Sequence, residues 1–340
     1  MKKSFGLALL LSTVIFATGC GGGQNAAQPS TPPAQTHQAQ AASPEPQTPE
    51  TQPAIESSSF TVFQPDGSEV VIEETPERVV VMAATTLEIL HALGIEQVVG
   101  NADLHARPDL ANLYPDSVNV GLTQSPDMEV MATLNPDLVI APSTFMGTMQ
   151  ELFEAQGYTI WFANNTTYSH TMQLISDLGN IFDVEERASQ LLEELEMGRE
   201  NIVESVKGTV DDVTAMVIFG AGDNIMFGTN ESYIGYVLNA FGAGNVTDGM
   251  SFDVVNAGFV PFSLEQAIVM NPDIIFRIAH GNIEQTALMF DEMFDSNPAF
   301  HAMNAFINGR VYDLEHTLFF SNPGIRTIEA FEHIAYVLQS

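Results

Sequence analysis

His280 closes an apolar run, Ile274-Ile275-Phe276-Arg277-Ile278-Ala279. A run this apolar suits a strand buried on both faces of a sheet, so the histidine should stand where strand passes into loop. In open α/β sheets ligands bind outside the carboxyl ends of the strands. A neutral imidazole there can ligate a metal, or it can cap the strand or bond a loop carbonyl. Arg277 sits inside the same run. A buried cation needs an anion, which a ligand or a neighbouring carboxylate can supply. Tyr233 heads the stretch "YIGYVLNAFG" after "FGTNES". It can line the wall of a second-lobe site or fill the core.

These residues need elements to hold them, and the chain describes those elements twice. "MEVMATLNPDLVIA" and "LEQAIVMNPDIIFRIA" share a glutamate, an apolar helical stretch, Asn-Pro-Asp and an apolar strand. Glu129, Asn135 and Asp137 in the first correspond to Glu265, Asn271 and Asp273 in the second. Proline disfavours helical conformation at the residue before it, so each helix should stop at the asparagine. Aspartate then suits a tight turn. The first copy ends in Ala141-Pro142-Ser143 and has no histidine.

Around the two copies, short apolar strands alternate with amphipathic helices. "FTVFQPDGSEVVI" (60–72) predicts a hairpin about Asp66-Gly67. "RVVVMAA" predicts a buried strand, and "TTLEILHALG" a helix stopped by Gly94. Between the two alternating regions Ala188, Leu191, Leu192, Leu195, Ile202 and Val206 recur at helical spacing. That spacing predicts one helix over 184–207, ended by Gly208. The fold class is therefore α/β, with two Rossmann-like lobes carrying parallel-type sheets, residues 60–183 and 208–340, joined by one long rigid helix.

Composition limits the partners. Asp and Glu number 43 against 10 Lys and Arg, a formal net charge of −33. Phosphate binding needs cations that this chain lacks, so nucleic acid is excluded as a partner. The start "MKKSFGLALLLSTVIFATGC" has a positive n-region and an apolar stretch too short to span a bilayer. Residues 1–19 read as a signal peptide. Cys20 is the sole cysteine, which rules out an intramolecular disulfide. The following Gly, Gln, Ala, Pro, Ser and Thr, to residue 59, read as a flexible tether in which His37 is inert.

The small residues before Cys20 resemble a bacterial lipobox, which implies lipidation of Cys20 and an extracytoplasmic protein anchored to the outer face of the cytoplasmic membrane. Two α/β lobes on a stiff helix resemble the helical-backbone class of ABC-importer substrate-binding proteins. That class carries haem, ferric siderophores and corrinoids. "SPDMEVMATLNPD", "SYIGYVLNAFGAGNV", "NPDIIFRIAHG", "MFDEMF" and "GRVYDLE" are most similar to the haem-binding lipoproteins of iron-regulated surface determinant systems in Gram-positive bacteria. The resemblance implies haem as transported ligand, His280 as an axial ligand to its iron, and a permease and ATPase as partners of a monomeric binding protein. It implies a haem propionate as the anion for Arg277. It also implies that Glu129 and Glu265 dock to permease arginines, although an acid in a first helical turn equally suits the helix dipole. Where the family supplies a second axial Met, this chain has Gln124, a poor partner for iron. His105, Met128 and Met146 are the first-lobe substitutes, His105 first.

A ferric siderophore or corrinoid carrier is the alternative, and a secreted α/β enzyme a third reading. "GAGDNI" (220–225) begins like a dinucleotide fingerprint but has Ile225 at the third glycine place. No P-loop, HExxH or GxSxG motif is present. The expectation is a binding protein and no enzyme. His301, His316 and His333 read as surface or packing residues.

Overall fold

A computed structural model describes residues 59–210, 212–222, 224–251 and 258–340. The expected signal peptide (1–19), the lipidated Cys20 and the tether up to residue 58 lie outside the described residues. The described chain opens on an antiparallel hairpin of β1 (Phe60–Phe63) and β2 (Glu69–Ile72). Asp66 Oδ1 accepts from the Ser68 amide and hydroxyl, and Gly67 takes φ +84°, so the turn forms where the sequence places it.

The first-lobe sheet contains β3 (Val79–Val81), β4 (Val98–Asn101), β5 (Val118–Asn119), β8 (Leu138–Pro142) and β9 (Ile160–Ala163). All pairs are parallel, in the order β5-β4-β3-β8-β9. A small antiparallel ladder of β6 (Gly121–Leu122) and β7 (Ser125–Pro126) follows β5. Both faces of the sheet are covered. Val79, Val81, Leu138 and Ile140 pack towards the helices Ala84–Leu93 and Tyr168–Ile181. Val80, Val139 and Phe162 pack with Met131, Met149 and Phe153 on the other face. That is why these strands read as continuous apolar runs.

The second-lobe sheet contains β10 (Thr214–Ala221), β11 (Asn224–Gly228), β12 (Gly244–Asn245), β13 (Phe259–Pro261), β14 (Ile274–His280) and β15 (Val311–Leu314). Its order is β13-β11-β10-β14-β15, with β12 against β10. Here the structure refines the reading of two parallel-type sheets. β10, β14 and β15 are parallel, but β11 folds back on β10 and pairs β13, both antiparallel. Ala221 pairs with Asn224 across that reversal, with Gly222 at φ +57°. It is a hairpin connection and not a dinucleotide loop.

The helix Glu185–Val206 lies between the sheets in sequence and spans roughly 33 Å at 1.5 Å per residue. Ala188, Leu191 and Leu195 bury into the first-lobe core, and Val206 into that of the second. The loops after the carboxyl edges of the two sheets meet at Asn322, which is 1% exposed. Its Nδ2 donates to the Thr167 carbonyl and the Thr171 hydroxyl, both at 2.5 Å.

The internal repeat is also a structural repeat. Asp127 caps the helix Met128–Leu134 by accepting from the Glu129 and Val130 amides. Ser263 caps the helix Leu264–Met270 through the Gln266 amide. Asn135 and Asn271 end these helices at φ 45° and 44°, a left-handed conformation that asparagine tolerates. The aspartates do more than turn the chain. Asp137 accepts from the Glu77 and Arg78 amides, and Asp273 from the Thr214 amide and hydroxyl. Each carboxylate ties its helix–strand turn to the start of the neighbouring strand.

Burial pushes the Asp273 carboxyl up, but hydrogen bonds from Thr214 and the Asn304 amide outweigh it and hold the group below its usual 3.8. A depressed carboxylate pKa gives stability that is present above the unfolded value and lost as pH falls through the folded one. Asp273→Ala should therefore unfold in less urea at pH 7, by about 1–3 kcal/mol. Its gap to the parent should close as the pH is taken below about 3.8, as urea titrations across pH will show.

Candidate ligand-binding site

Side chains alternate across a strand, and β14 uses both faces. Ile274, Phe276 and Ile278 face the core that holds Phe219, Phe259 and Phe331, while Ile275 faces the other. His280, the last residue of β14, continues the first series. Its ring stacks on Phe320, 4.3 Å between centres at 22°. Phe320 stacks in turn on Phe219 at 4.9 Å, and Phe219 meets Phe259 at 4.8 Å. The imidazole thus stands at the end of an aromatic wall.

A second histidine faces it. The ring centre of His316 lies 5.8 Å from that of His280, with the planes at 55°. His316 begins the short helix His316–Phe319, just past the carboxyl end of β15, the strand beside β14. Burial, then repulsion from His316, lowers the pKa of His280 below 6.5. Burial also lowers that of His316, against the opposing pull of Glu315. Both rings are therefore neutral at neutral pH, the form that donates a lone pair to a metal. His280 Nδ1 is buried and has no hydrogen-bond partner.

His316, read from the sequence as a surface or packing residue, packs against His280 at this edge. The signal that finds it is topological. Any polar residue after the strand adjacent to β14 must share the carboxyl edge with His280, and "VYDLEH" names it once the strand order is known.

Other expected site residues scatter. Arg277 lies on the face of β14 opposite His280. Its guanidinium meets Asp313 at 2.6 Å and Asp291 at 2.7 Å, over the rings of Phe290 and Phe294. Its anion is the protein's own, because strand alternation puts it on the opposite face of the sheet from His280, among Asp291 and Asp313. Tyr233 is 5% exposed, and its hydroxyl pairs with that of Thr327 at 2.7 Å. It is a core residue of the second lobe and does not line the site.

In the first lobe Met146 is buried in the core, and Met128 packs against the same cluster. Gln124 is exposed between β6 and β7, and the adjacent Thr123 hydroxyl donates to the Met82 carbonyl just past β3. His105 follows β4, with its side chain 75% exposed. Its Nδ1 lies 2.6 Å from Asp103 Oδ1. A carboxylate on one imidazole nitrogen fixes the tautomer and aims the other nitrogen outward, the arrangement typical of metal-bound histidines. Among the described residues no group of three or more His, Cys, Asp or Glu could by itself hold a metal ion. A concavity of about 360 Å³ lined by Thr209, Asp212, Asp273 and Arg310 lies at the opposite, amino-terminal end of the second-lobe strands. It is remote from both histidines.

Residues 79–318 match the family model described as periplasmic binding protein, which covers more than half of the chain. The chain belongs to that family. Its members are the substrate-binding proteins of ABC importers, solute carriers and not enzymes. The chain is 26% identical over 210 residues to the high-affinity heme uptake system protein IsdE of Staphylococcus aureus, covering 62% of this chain and 70% of that one. The structure of S. aureus IsdE complexed with heme superposes with a TM-score of 0.67 at 24% identity, over 77% of this chain and 99% of that chain. An ABC transporter substrate-binding protein from Listeria monocytogenes gives 0.66 at 26% identity, over 77% and 98%. The petrobactin-binding protein YclQ of Bacillus subtilis gives 0.68 at 21%, over 83% and 99%.

The assignment of Arg277 to an internal ion-pair network has a direct consequence. Arg277→Met should lower stability by about 1–3 kcal/mol. It should leave the imidazole resonances of His280 and His316 unmoved, which NMR of the variant can check.

Proposed function

We propose that this chain captures haem between its two lobes and delivers it to an ABC permease. The observation that carries this reading is His280, a neutral imidazole at the carboxyl edge of the second-lobe sheet, set against an aromatic wall. Iron in a porphyrin accepts an imidazole axially, and the flat ring system suits an apolar, aromatic surface. His105 supports the reading from the first lobe. Its Asp103 partner prepares the free nitrogen for a metal, whereas Met146 is committed to the core and Gln124 offers no strong iron donor. We assign His280 as one axial ligand and His105 as the leading second.

The pairing of the cations weighs against a polyanionic ferric siderophore. Each described Arg and Lys already has a partner. Arg107, Arg187, Arg199, Lys207, Arg277 and Arg326 pair with carboxylates. Arg78 and Arg310 donate to main-chain carbonyls. Recruiting the buried ones, Arg107 or Arg277, for a polyanionic chelate would strip a carboxylate of its partner, which is costly away from water. The fold alone does not discriminate, since the petrobactin-binding YclQ shares it.

In the same proposal, Cys20 carries the lipid that holds the protein at the outer face of the membrane, and residues 20–59 form its tether. Glu129 and Glu265, both exposed in the first turn of duplicated helices, bind the permease.

Two measurements test this. Haemin added to the full chain should give a sharp Soret band at one equivalent, and His280→Ala should weaken binding at least tenfold. Tight binding of a ferric hydroxamate or catecholate with no specific haem spectrum would replace haem by a siderophore. Reversing both docking charges, Glu129→Lys with Glu265→Lys, should abolish uptake by cells and leave haemin affinity within about twofold. Normal uptake by the double variant would remove the docking role.

A further inference from the structure

The haem reading uses one second-lobe imidazole, yet the structure provides two. His280 and His316 come from different elements, the end of β14 and the helix after β15, and meet at 5.8 Å. With metal–nitrogen bonds of about 2.0–2.1 Å, ring centres of two imidazoles on one ion lie roughly 5–6 Å apart. Both rings are half-buried. Neither is held by a side-chain hydrogen bond among the described residues, and His280 Nδ1 is buried and unpartnered. A porphyrin cannot use both together, because its plane leaves only opposite axial positions and these two rings come from one side.

We propose that His280 and His316 together chelate a divalent first-row transition-metal ion, a site distinct in chemistry from axial haem binding although it shares His280. Imidazole pairs favour copper, nickel and zinc over magnesium or calcium. No third protein ligand stands with them among the described residues, so water or a small chelating molecule fills the other positions. The strongly acidic surface, at a formal −33, concentrates divalent cations around the protein without itself defining the site.

Copper(II) titrated into the full chain, followed by calorimetry and electron paramagnetic resonance, tests this. The spectrum at one equivalent should carry the coupling of two imidazole nitrogens. Either His316→Ala or His280→Ala should lower copper affinity at least tenfold, with the acidic surface unchanged. Magnesium should not compete. His280→Ala should lose both ligands. Copper affinity within twofold of the parent in His316→Ala overturns the proposal. So does a parent spectrum without a two-imidazole signature, a result that needs no folded variant. Copper binding of the expected kind with no haemin binding at all would sink the haem reading and leave this one standing.

Discussion

A buried amide fixes how the two lobes meet. Asn322 is almost fully enclosed, and an amide in that position is costly unless its hydrogen bonds are made. Its partners, the Thr167 carbonyl and the Thr171 hydroxyl, belong to the other lobe. The pairing has one geometry, so the segment carrying Asn322 has one place. Phe320 lies two residues before it and Gly324 two after. Gly324 takes φ +66° against Thr85, where an added Cβ would lie 3.4 Å from the Thr85 Cβ. The wall beneath His280 is therefore set by contacts made across the lobes. The long helix does the same at larger scale, because its two ends bury in different cores. A site assembled this way keeps its lobes in register before any ligand arrives.

The duplicated helix–turn–strand unit explains why two such lobes exist and why they differ. In both copies an aspartate after Asn-Pro reaches back to the start of an adjacent strand, so sheet and helix are positioned by the same clamp. What differs lies at the carboxyl edges, where the clamp exerts no control. The first copy ends in Pro142 and a short 3₁₀ turn, the second in His280 and Gly281 at φ +77°. A ligand held between these lobes therefore meets unlike surfaces on its two sides.

Most of the scaffold was legible in the sequence because its signals are local. Apolar runs, helical spacing, Gly94 as a stop and the Asn-Pro-Asp phrase each act within a few residues. The antiparallel half of the second sheet was not legible. "GAGDNI" was weighed only as a dinucleotide fingerprint, and the antiparallel pairing of β11 with β10 on either side of Gly222 is stated by no local pattern. At the site, His280 was legible from its place at a strand end. Arg277 was read towards a ligand because its charge was visible and its partners, Asp291 and Asp313, were distant in sequence. The meeting of His316 with His280 was not legible for the complementary reason. It depends on β15 lying beside β14, a fact of topology that no local pattern states.

The charge distribution then says how such a protein can select its ligand. A chain with 43 acids and 10 bases has few cations to give to recognition. It spends them on itself instead. Arg107 is shared between Glu88 and Asp109, Arg199 sits on Glu196 beside Tyr168, and Arg326 on Glu329. With cations internally paired and the surface acidic, long-range attraction favours cationic ligands and repels polyanions. A neutral donor atom and an aromatic wall work without charge and need no cation released from a partner. Under the proposed reading, recognition at His280 rests on coordination and apolar contact, because the edge offers a neutral imidazole and an aromatic wall and no unpaired cation among the described residues.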